Sequence, residues 1–172
     1  NTFDSFNGYI LKGDPAQGLA LLFDSLMTRA NDEPDAVYGL VAKSADLAAD
    51  RKSIRFELRP EAKFSDGSAL TAEDVCDSFR LLKAHAIETL RITIRDAETC
   101  DVLGPHELRY RFTGDKTRDL PLTVAKLPIF SKAYYTKRDF AETTLDPPLG
   151  SGPYVVGDLK QGQWADVKVK ID

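Results

Sequence analysis

Few residues in this 172-residue chain could act as nucleophiles or transfer protons: two cysteines, Cys76 and Cys100, and two histidines, His85 and His106. Cys76 and His85 are nine positions apart on or near one predicted helix, a rise of about 13 Å. A nucleophile and its base must lie within hydrogen-bond distance of each other. The motifs of serine hydrolases, zinc peptidases and phosphate-binding loops do not occur in the sequence. We therefore predict no catalytic residues, with a thiol hydrolase that uses Cys76 as the alternative.

The cysteine pattern leaves two pairing states open. The two residues form no CxxC arrangement, which excludes a disulfide-dense scaffold and a zinc ribbon. Cys76 lies in a predicted helix and Cys100 in a predicted strand, so geometry allows one bridge between them. Because cysteine is among the most buried residue types, we expect two buried free thiols instead.

The acidic residues are explained by backbone hydrogen bonding. Asp66 lies in a predicted turn and Asp74 in a predicted helix cap. The acidic loop at residues 31–35 lacks the spacing and closing glutamate of an EF-hand. With two histidines, a nickel site made by this chain alone is not expected. We predict no metal ligands and no cofactor.

Charge and hydropathy exclude two classes of partner. Lysine and arginine number 23 against 27 aspartates and glutamates, for a formal net charge of −4. This balance argues against a nucleic-acid surface and against binding to acidic membranes. The longest apolar run, residues 19–23, is far short of the roughly 20 residues that a membrane span needs. We predict no nucleic-acid partner and no direct membrane insertion.

The first stretch of the chain is predicted to begin with a helix. Residues 14–17 are typical of a helix start. The aspartate can cap the first turn, the proline suits that turn, and the glutamine three residues after the aspartate can cap in return. Four apolar residues then follow at helical spacing: Leu19, Leu22, Phe23 and Leu26. We expect an extended segment at 27–30, a polar turn at 31–34 and a short helical piece at 36–41.

The middle of the chain has stronger patterns, from which we predict three strands and three helices. Residues 54–58 alternate apolar and charged side chains before Pro60, which favours a half-buried strand. The remaining predicted elements are a turn at 64–67 with a glycine at positive φ, a helix at 71–83, a hairpin at 97–112, and helices at 120–127 and 132–135. A cluster of prolines and glycines at 146–153 precedes two last strands, at 154–159 and 164–171, around a turn at 161–163.

Several segments resemble the solute-binding proteins of peptide-type ABC transporters. The most specific is residues 55–75, RFELRPEAKFSDGSALTAEDV, with strand, turn and helix in the family's order. Residues 22–27 resemble the family's early LFDSL segment, and residues 150–154 its GSGPY segment. Residues 25–28 and 143–150 resemble the Yej-type oligopeptide branch. The order of the segments agrees with the family across nearly the whole chain.

The resemblance implies a fold of the α/β class, of α+β type with a mixed sheet, that forms an incomplete lobe like those of type II periplasmic binding proteins. We expect residues 1–42 and 146–172 to form a core sub-domain and 43–145 an inserted sub-domain, with the second lobe absent from this chain. The family's early Asn-Pro is replaced by residues 4–7, and residues 82–94 are shorter than in the branch. Part of the usual ligand site is therefore expected to be missing.

The resemblance also implies a function without catalysis. The family captures oligopeptides in the periplasm after removal of a signal peptide and delivers them to a membrane permease of an ABC transporter. The family's ligand-facing edge matches four residues, each with core packing as the alternative: Ser25, Leu26, Met27 and Thr28. Phe6 is the fifth candidate, as an aromatic side chain that could line the site. Nickel, haem or sugar remain alternative ligands. We expect the lone lobe to fold but to bind peptide weakly, because it cannot cover a ligand on both sides.

Overall fold

Eight strands, four α-helices and one turn of 3-10 helix make up the part of the chain that the structure describes. The computed structural model describes residues 2–30, 32–33, 36–115, 117–160 and 163–169, with the backbone alone for Trp164. In chain order the elements are a 3-10 turn at Leu19–Leu22, β1 (Met27–Arg29), β2 (Val37–Gly39), β3 (Ala42–Leu47), β4 (Ser53–Leu58), α1 (Ala72–His85), α2 (Glu88–Thr93), β5 (Ala97–Gly104), β6 (Glu107–Phe112), α3 (Leu120–Ala125), α4 (Lys132–Thr136), β7 (Tyr154–Lys160) and β8 (Trp164–Val169).

The largest sheet has four strands in the order β3-β4-β6-β5. Each pair in it is antiparallel, as are β1 with β2 and β7 with β8, while a parallel bridge joins Ser5 to Pro15. One face of the sheet is apolar and packs against α1 through buried side chains of β4 and β6: Ile54, Phe56, Leu58, Leu108, Tyr110 and Phe112. This face confirms the alternation predicted for 54–58.

The opposite face of this sheet is charged and its ion pairs run across neighbouring strands. Arg55 of β4 contacts Glu107 of β6 at 3.0 Å, and Arg111 of β6 contacts Asp101 of β5 at 2.8 Å. All four side chains are partly exposed, so each pair contributes little to stability. The sheet therefore has one core face and one solvent face.

Asp74 connects the starts of two helices. Its carboxylate accepts hydrogen bonds from the backbone N–H of Thr71, which caps α1, and from that of Lys132 in the first turn of α4, both at 2.9 Å. One turn later, the Ser78 hydroxyl accepts a bond of 2.7 Å from the N–H of Phe130. Only 8% of Asp74 is exposed, so its carboxylate is largely enclosed between the two helix starts. The predicted cap is confirmed, and it holds a second helix as well.

We expect Asp74→Ala to lower the free energy of unfolding by about 2 kcal/mol, because it removes the cap of α1 and leaves two part-buried backbone N–H groups without their carboxylate acceptor. Urea denaturation followed by circular dichroism measures the change. Glu73→Ala is the matched control in the same helical turn, since among the described residues Glu73 forms an ion pair with the exposed Lys132 ammonium alone. We expect the control to cost less than about 0.5 kcal/mol. Equal losses in the two variants would contradict the role of Asp74.

Two helical predictions in the first stretch are wrong. Gly18 has φ +80°, so a helix starting at residues 14–17 cannot continue through it, and only the single 3-10 turn follows. Residues 36–41 contain β2 instead of a helix, because Val37 and Tyr38 pair with β1. Two elements were also missed: β3, whose middle residues are exposed, and α2, which buries no residue and so has no apolar stripe.

The other predicted elements are confirmed. The extended segment at 27–30 contains β1, Gly67 has the expected positive φ, and the Ser131 hydroxyl accepts the N–H of Tyr134 at the start of α4. The predicted turns at 31–34 and 161–163 and the end of the last strand at 171 fall partly or wholly outside the described residues.

The two ends of the described chain pack together in a second hydrophobic cluster. Phe6, Leu19 and Leu22 are its buried members, and side chains of β7 and β8 pack against them: Tyr154, Val156, Leu159 and Ala165. The Gly-Ser-Gly segment before β7 lies against the 3-10 turn, where the N–H of Gly152 donates to the Leu22 carbonyl at 3.0 Å. The N–H of Ser65 donates to the Gly150 carbonyl at 2.9 Å. This segment therefore joins the first and middle stretches.

Candidate functional site

β1 lies where the ligand-facing edge was predicted. Ser25 and Leu26 lead into it, and Met27 and Thr28 are its first two residues. In the part of the chain that the structure describes, β1 pairs with β2 and with no other strand, so its second edge is open.

The hydrogen-bonding phase of this strand pair follows from its register. The N–H of Leu40 donates to the Leu26 carbonyl at 3.0 Å, so one bond of the hydrogen-bonded type joins these two residues, which continue the register beyond Met27 and Gly39. Hydrogen-bonded and non-hydrogen-bonded pairs alternate along antiparallel strands. The next hydrogen-bonded pair is therefore Thr28 with Tyr38, which lie opposite each other in the register. The main-chain N–H and C=O groups of Thr28 are therefore directed to β2.

Met27 and Arg29 have the opposite phase. Their main-chain N–H and C=O groups point away from β2, toward the open edge. The Ser25 hydroxyl donates to the Met27 carbonyl at 2.8 Å, which agrees with this direction because that carbonyl is not occupied by β2. A carbonyl has a second lone pair, so the open edge of β1 presents two donors and two acceptors to an extended chain.

The side chains of the predicted residues lie in different environments. Leu26 is 1% exposed and belongs to the main core, and Met27 packs on that core while half-buried. Thr28 is exposed and Ser25 is half-buried. The structure thus places Met27 and Thr28 in β1 and Ser25 in the chain that leads into it, whereas the Leu26 side chain is enclosed within the protein.

Phe6 lies elsewhere. It is 3% exposed and belongs to the second hydrophobic cluster, not to the core on which Met27 packs. Its ring lies 5.4 Å from that of Phe3, and both residues line an open groove of about 810 Å³ between the start of the chain and β8. The structure does not join Phe6 to β1 in one site.

Three aromatic rings, from different parts of the chain, pack together beside the residues that lead into β1. Tyr9, Phe23 and Phe130 contact one another edge to face, with ring centroids 5.0 to 6.0 Å apart. The N–H of Ile129 donates to the Asp24 carbonyl at 3.0 Å, which ties this group to the chain that enters β1. Burial raises the pKa of the Tyr9 phenol to about 12.

The expectation of two free thiols is wrong. Cys76 of α1 and Cys100 of β5 form a disulfide, with their Cα atoms 5.2 Å apart. A free pair was expected from burial, but α1 packs across β5 and places the two residues at bridging distance. A sulfur in a disulfide has no thiolate, so Cys76 in this structure lacks the nucleophile that the thiol hydrolase alternative needs.

The remaining chemical candidates do not converge on one site. His85 lies at the end of α1 and is exposed, while His106 lies in the turn between β5 and β6. Asp66 accepts from the hydroxyl of Ser68, a bond that lowers the pKa of its carboxyl. Among the described residues, no three His, Cys, Asp or Glu side chains lie close enough together to hold a metal ion. No helix in the described ranges is both long and apolar enough to cross a membrane.

Arg29 was not among the predicted site residues. Its sequence position, one residue beyond the segment that resembled the family's edge, carried no signal, because the phase of β1 depends on its register with β2. In the structure it is exposed at the end of β1, with its main chain on the open edge.

The sequence and fold have known counterparts. Residues 36–170 match the family described as bacterial extracellular solute-binding proteins, family 5 Middle. Over 94% of its length the chain is 34% identical to an uncharacterized protein YejA of Escherichia coli and 35% identical to a peptidoglycan-binding protein YepA of Agrobacterium fabrum. It covers 26% and 28% of those two proteins, so it spans about a quarter of their length.

Solved structures share the fold. A NikZ of Campylobacter jejuni in complex with Ni(L-His) superimposes with a TM-score of 0.80 at 19% identity, over 99% of this chain and 34% of that one. A dipeptide-binding protein of Pseudoalteromonas in complex with Met-Leu superimposes with a TM-score of 0.75 at 19% identity, over 93% of this chain and 36% of that one. These matches confirm the fold class, a lobe like those of type II periplasmic binding proteins.

Proposed function

Since the chain belongs to family 5 of the bacterial extracellular solute-binding proteins, with relatives of Yej type, we propose that it forms part of an oligopeptide receptor. This receptor captures peptides outside the cytoplasmic membrane and delivers them to the permease of an ABC transporter. The observation that supports this proposal is the open edge of β1, whose outward main-chain groups belong to Met27 and Arg29.

The chemistry of this edge suits a ligand that is recognised by its backbone. An extended peptide that adds to β1 exchanges main-chain hydrogen bonds with these two residues, whatever its side chains are. The half-buried side chains of Met27, Tyr9 and Phe23 pack on the same core and leave apolar surface accessible. Such a site needs neither a metal nor a nucleophile, and we propose a binding role without catalysis.

We also propose that residues 1–42 and 146–172 form a core sub-domain and 43–145 an inserted one. The second hydrophobic cluster supports this division, because its members come from the 1–42 and 146–172 segments. The main core includes Leu26 and Val41 together with residues of the inserted segment, so the two parts share a boundary of buried side chains.

The addition of a peptide strand to β1 is tested by removing one main-chain N–H group that points to the open edge. In the intact protein that contains this chain, Arg29→Pro removes the N–H that points to the open edge and leaves the β1–β2 bonds in place, as proline allows on an edge strand. We expect its affinity for a neutral peptide to be about tenfold below that of Arg29→Ala, because a peptide carbonyl loses its partner. Isothermal titration calorimetry measures both affinities.

Arg29→Ala is the matched control, since it loses the same side chain and keeps the N–H. Equal affinities of the two variants for the neutral peptide would contradict strand addition at β1. Circular dichroism of each variant shows whether the fold is retained.

Two other ligand classes are compared in the same titration. Names of related proteins suggest them: one relative is called peptidoglycan-binding, and one structural counterpart holds nickel with histidine. Peptidoglycan fragments that bind more tightly than linear peptides would shift the proposal to cell-wall peptides. Binding of Ni(L-His) without any peptide binding would contradict the oligopeptide proposal.

A further inference from the structure

Arg29 presents an unpaired positive charge at the open edge. None of the ion pairs between described residues includes it. It is exposed, and its main chain has the outward phase. The main chain and the side chain of one residue are thus both available to an added strand.

The carboxylate of Glu33 lies on the other face of the strand pair. Thr28 and Tyr38 are directly opposite in the register, so their side chains share one face. The Tyr38 hydroxyl donates a short hydrogen bond to Glu33, which ties that carboxylate to the same face. Arg29 is opposite Val37, and side chains alternate along a strand, so Arg29 occupies the second face. Glu33 is therefore directed away from the guanidinium.

We propose that Arg29 selects peptides with an acidic side chain at the position that lies opposite it in the added strand. This inference rests on the proposed strand addition to β1. Residues directly opposite on neighbouring strands have Cβ atoms about 5 Å apart, within reach of an arginine and a glutamate. A guanidinium also binds a carboxylate through two parallel N–H···O bonds. Backbone bonding then supplies general affinity, and Arg29 supplies a preference among peptides.

The preference is measured by calorimetry on the intact protein at low ionic strength. The ligands are alanine-based pentapeptides in which one position at a time is glutamate or glutamine. For the unmodified protein we expect one position at which the glutamate peptide binds about two- to fivefold more tightly than its glutamine partner. We expect the ratio to fall to about one in Arg29→Gln and to persist in Arg29→Lys.

Arg91→Gln is the matched control, because Arg91 is exposed on α2 and is in none of the ion pairs between described residues. Its ratio should equal that of the unmodified protein. The role of Arg29 is overturned if the ratio of the affinities for the glutamate and glutamine peptides is unchanged in Arg29→Gln, or is the same at all five positions. Either result leaves the proposal of peptide binding standing. Failure of the unmodified protein to bind any of the peptides overturns the proposed function together with this inference.

Discussion

Replacing Gly150 by alanine should destabilise the chain by about 3 kcal/mol or more, a large share of the 5 to 15 kcal/mol that holds a typical domain folded. A Cβ atom on Gly150 would overlap the carbonyl oxygen of Leu22 and lie 2.8 Å from the carbonyl carbon. Backbone on both sides is fixed, because Ser65 donates to the Gly150 carbonyl and Gly152 donates to the Leu22 carbonyl. Relief of the overlap therefore breaks hydrogen bonds that join two parts of the core.

Gly104→Ala is the control for this prediction. Gly104 ends β5, has no atom within 4 Å of its Cβ direction, and lacks a positive φ. We expect its unfolding free energy to stay within about 0.5 kcal/mol of the unmodified protein. Urea denaturation monitored by circular dichroism compares the two variants. A Gly150→Ala midpoint close to that of Gly104→Ala would show that the backbone at Leu22 can move at little cost.

Removing the disulfide is the second change that we expect to lower the free energy of unfolding strongly. The Cys76→Ser, Cys100→Ser double variant should lose about 3 kcal/mol, because the bridge closes a loop between residues 24 positions apart and so restricts the unfolded chain. The folded chain also depends on the bridge. β5 is an edge strand that pairs only with β6 among the described strands, and the bridge fastens it to α1.

Thermal unfolding of the unmodified protein with and without a reducing agent, beside the double variant, measures this effect. The reduced protein and the double variant should unfold at similar temperatures, both below that of the oxidised protein. Mass spectrometry after thiol alkylation reports the pairing directly. Two alkylated cysteines in the untreated, native protein would contradict the bridge, and a loss below about 1 kcal/mol would contradict its contribution to stability.

Local patterns predicted the parts of the fold in which each residue's neighbours along the chain decide its conformation. Alternation at 54–58 predicted β4, the capping residues Thr71 and Asp74 predicted the start of α1, and Gly67 marked its turn. Where the decisive partner is distant in sequence, prediction failed. Residues 36–41 form a strand because β1 lies beside them. The helix expected from residue 14 fails for a local reason, because Gly18 adopts a left-handed conformation.

The sequence also predicted only part of the candidate site. The segment at 25–28 is predicted from its resemblance to a family, and the structure places two of its residues, Met27 and Thr28, in β1, with the main chain of Met27 on the open edge. The buried position of Leu26, the separate location of Phe6 and the availability of Arg29 all depend on packing and register. A shift of one residue in that register would exchange Thr28 with Met27 and Arg29 on the open edge.

The sequence by itself determined the class of this protein: an acidic α/β chain with few residues for catalysis and with the ordered segments of a solute-binding family. The tertiary structure alone decided that the two cysteines are joined, that Asp74 serves two helices, and that Met27 and Arg29 direct their main-chain groups outward. The physical reason is that composition and short motifs are properties of neighbouring residues, whereas bridges, shared caps and strand phase arise only when distant segments meet.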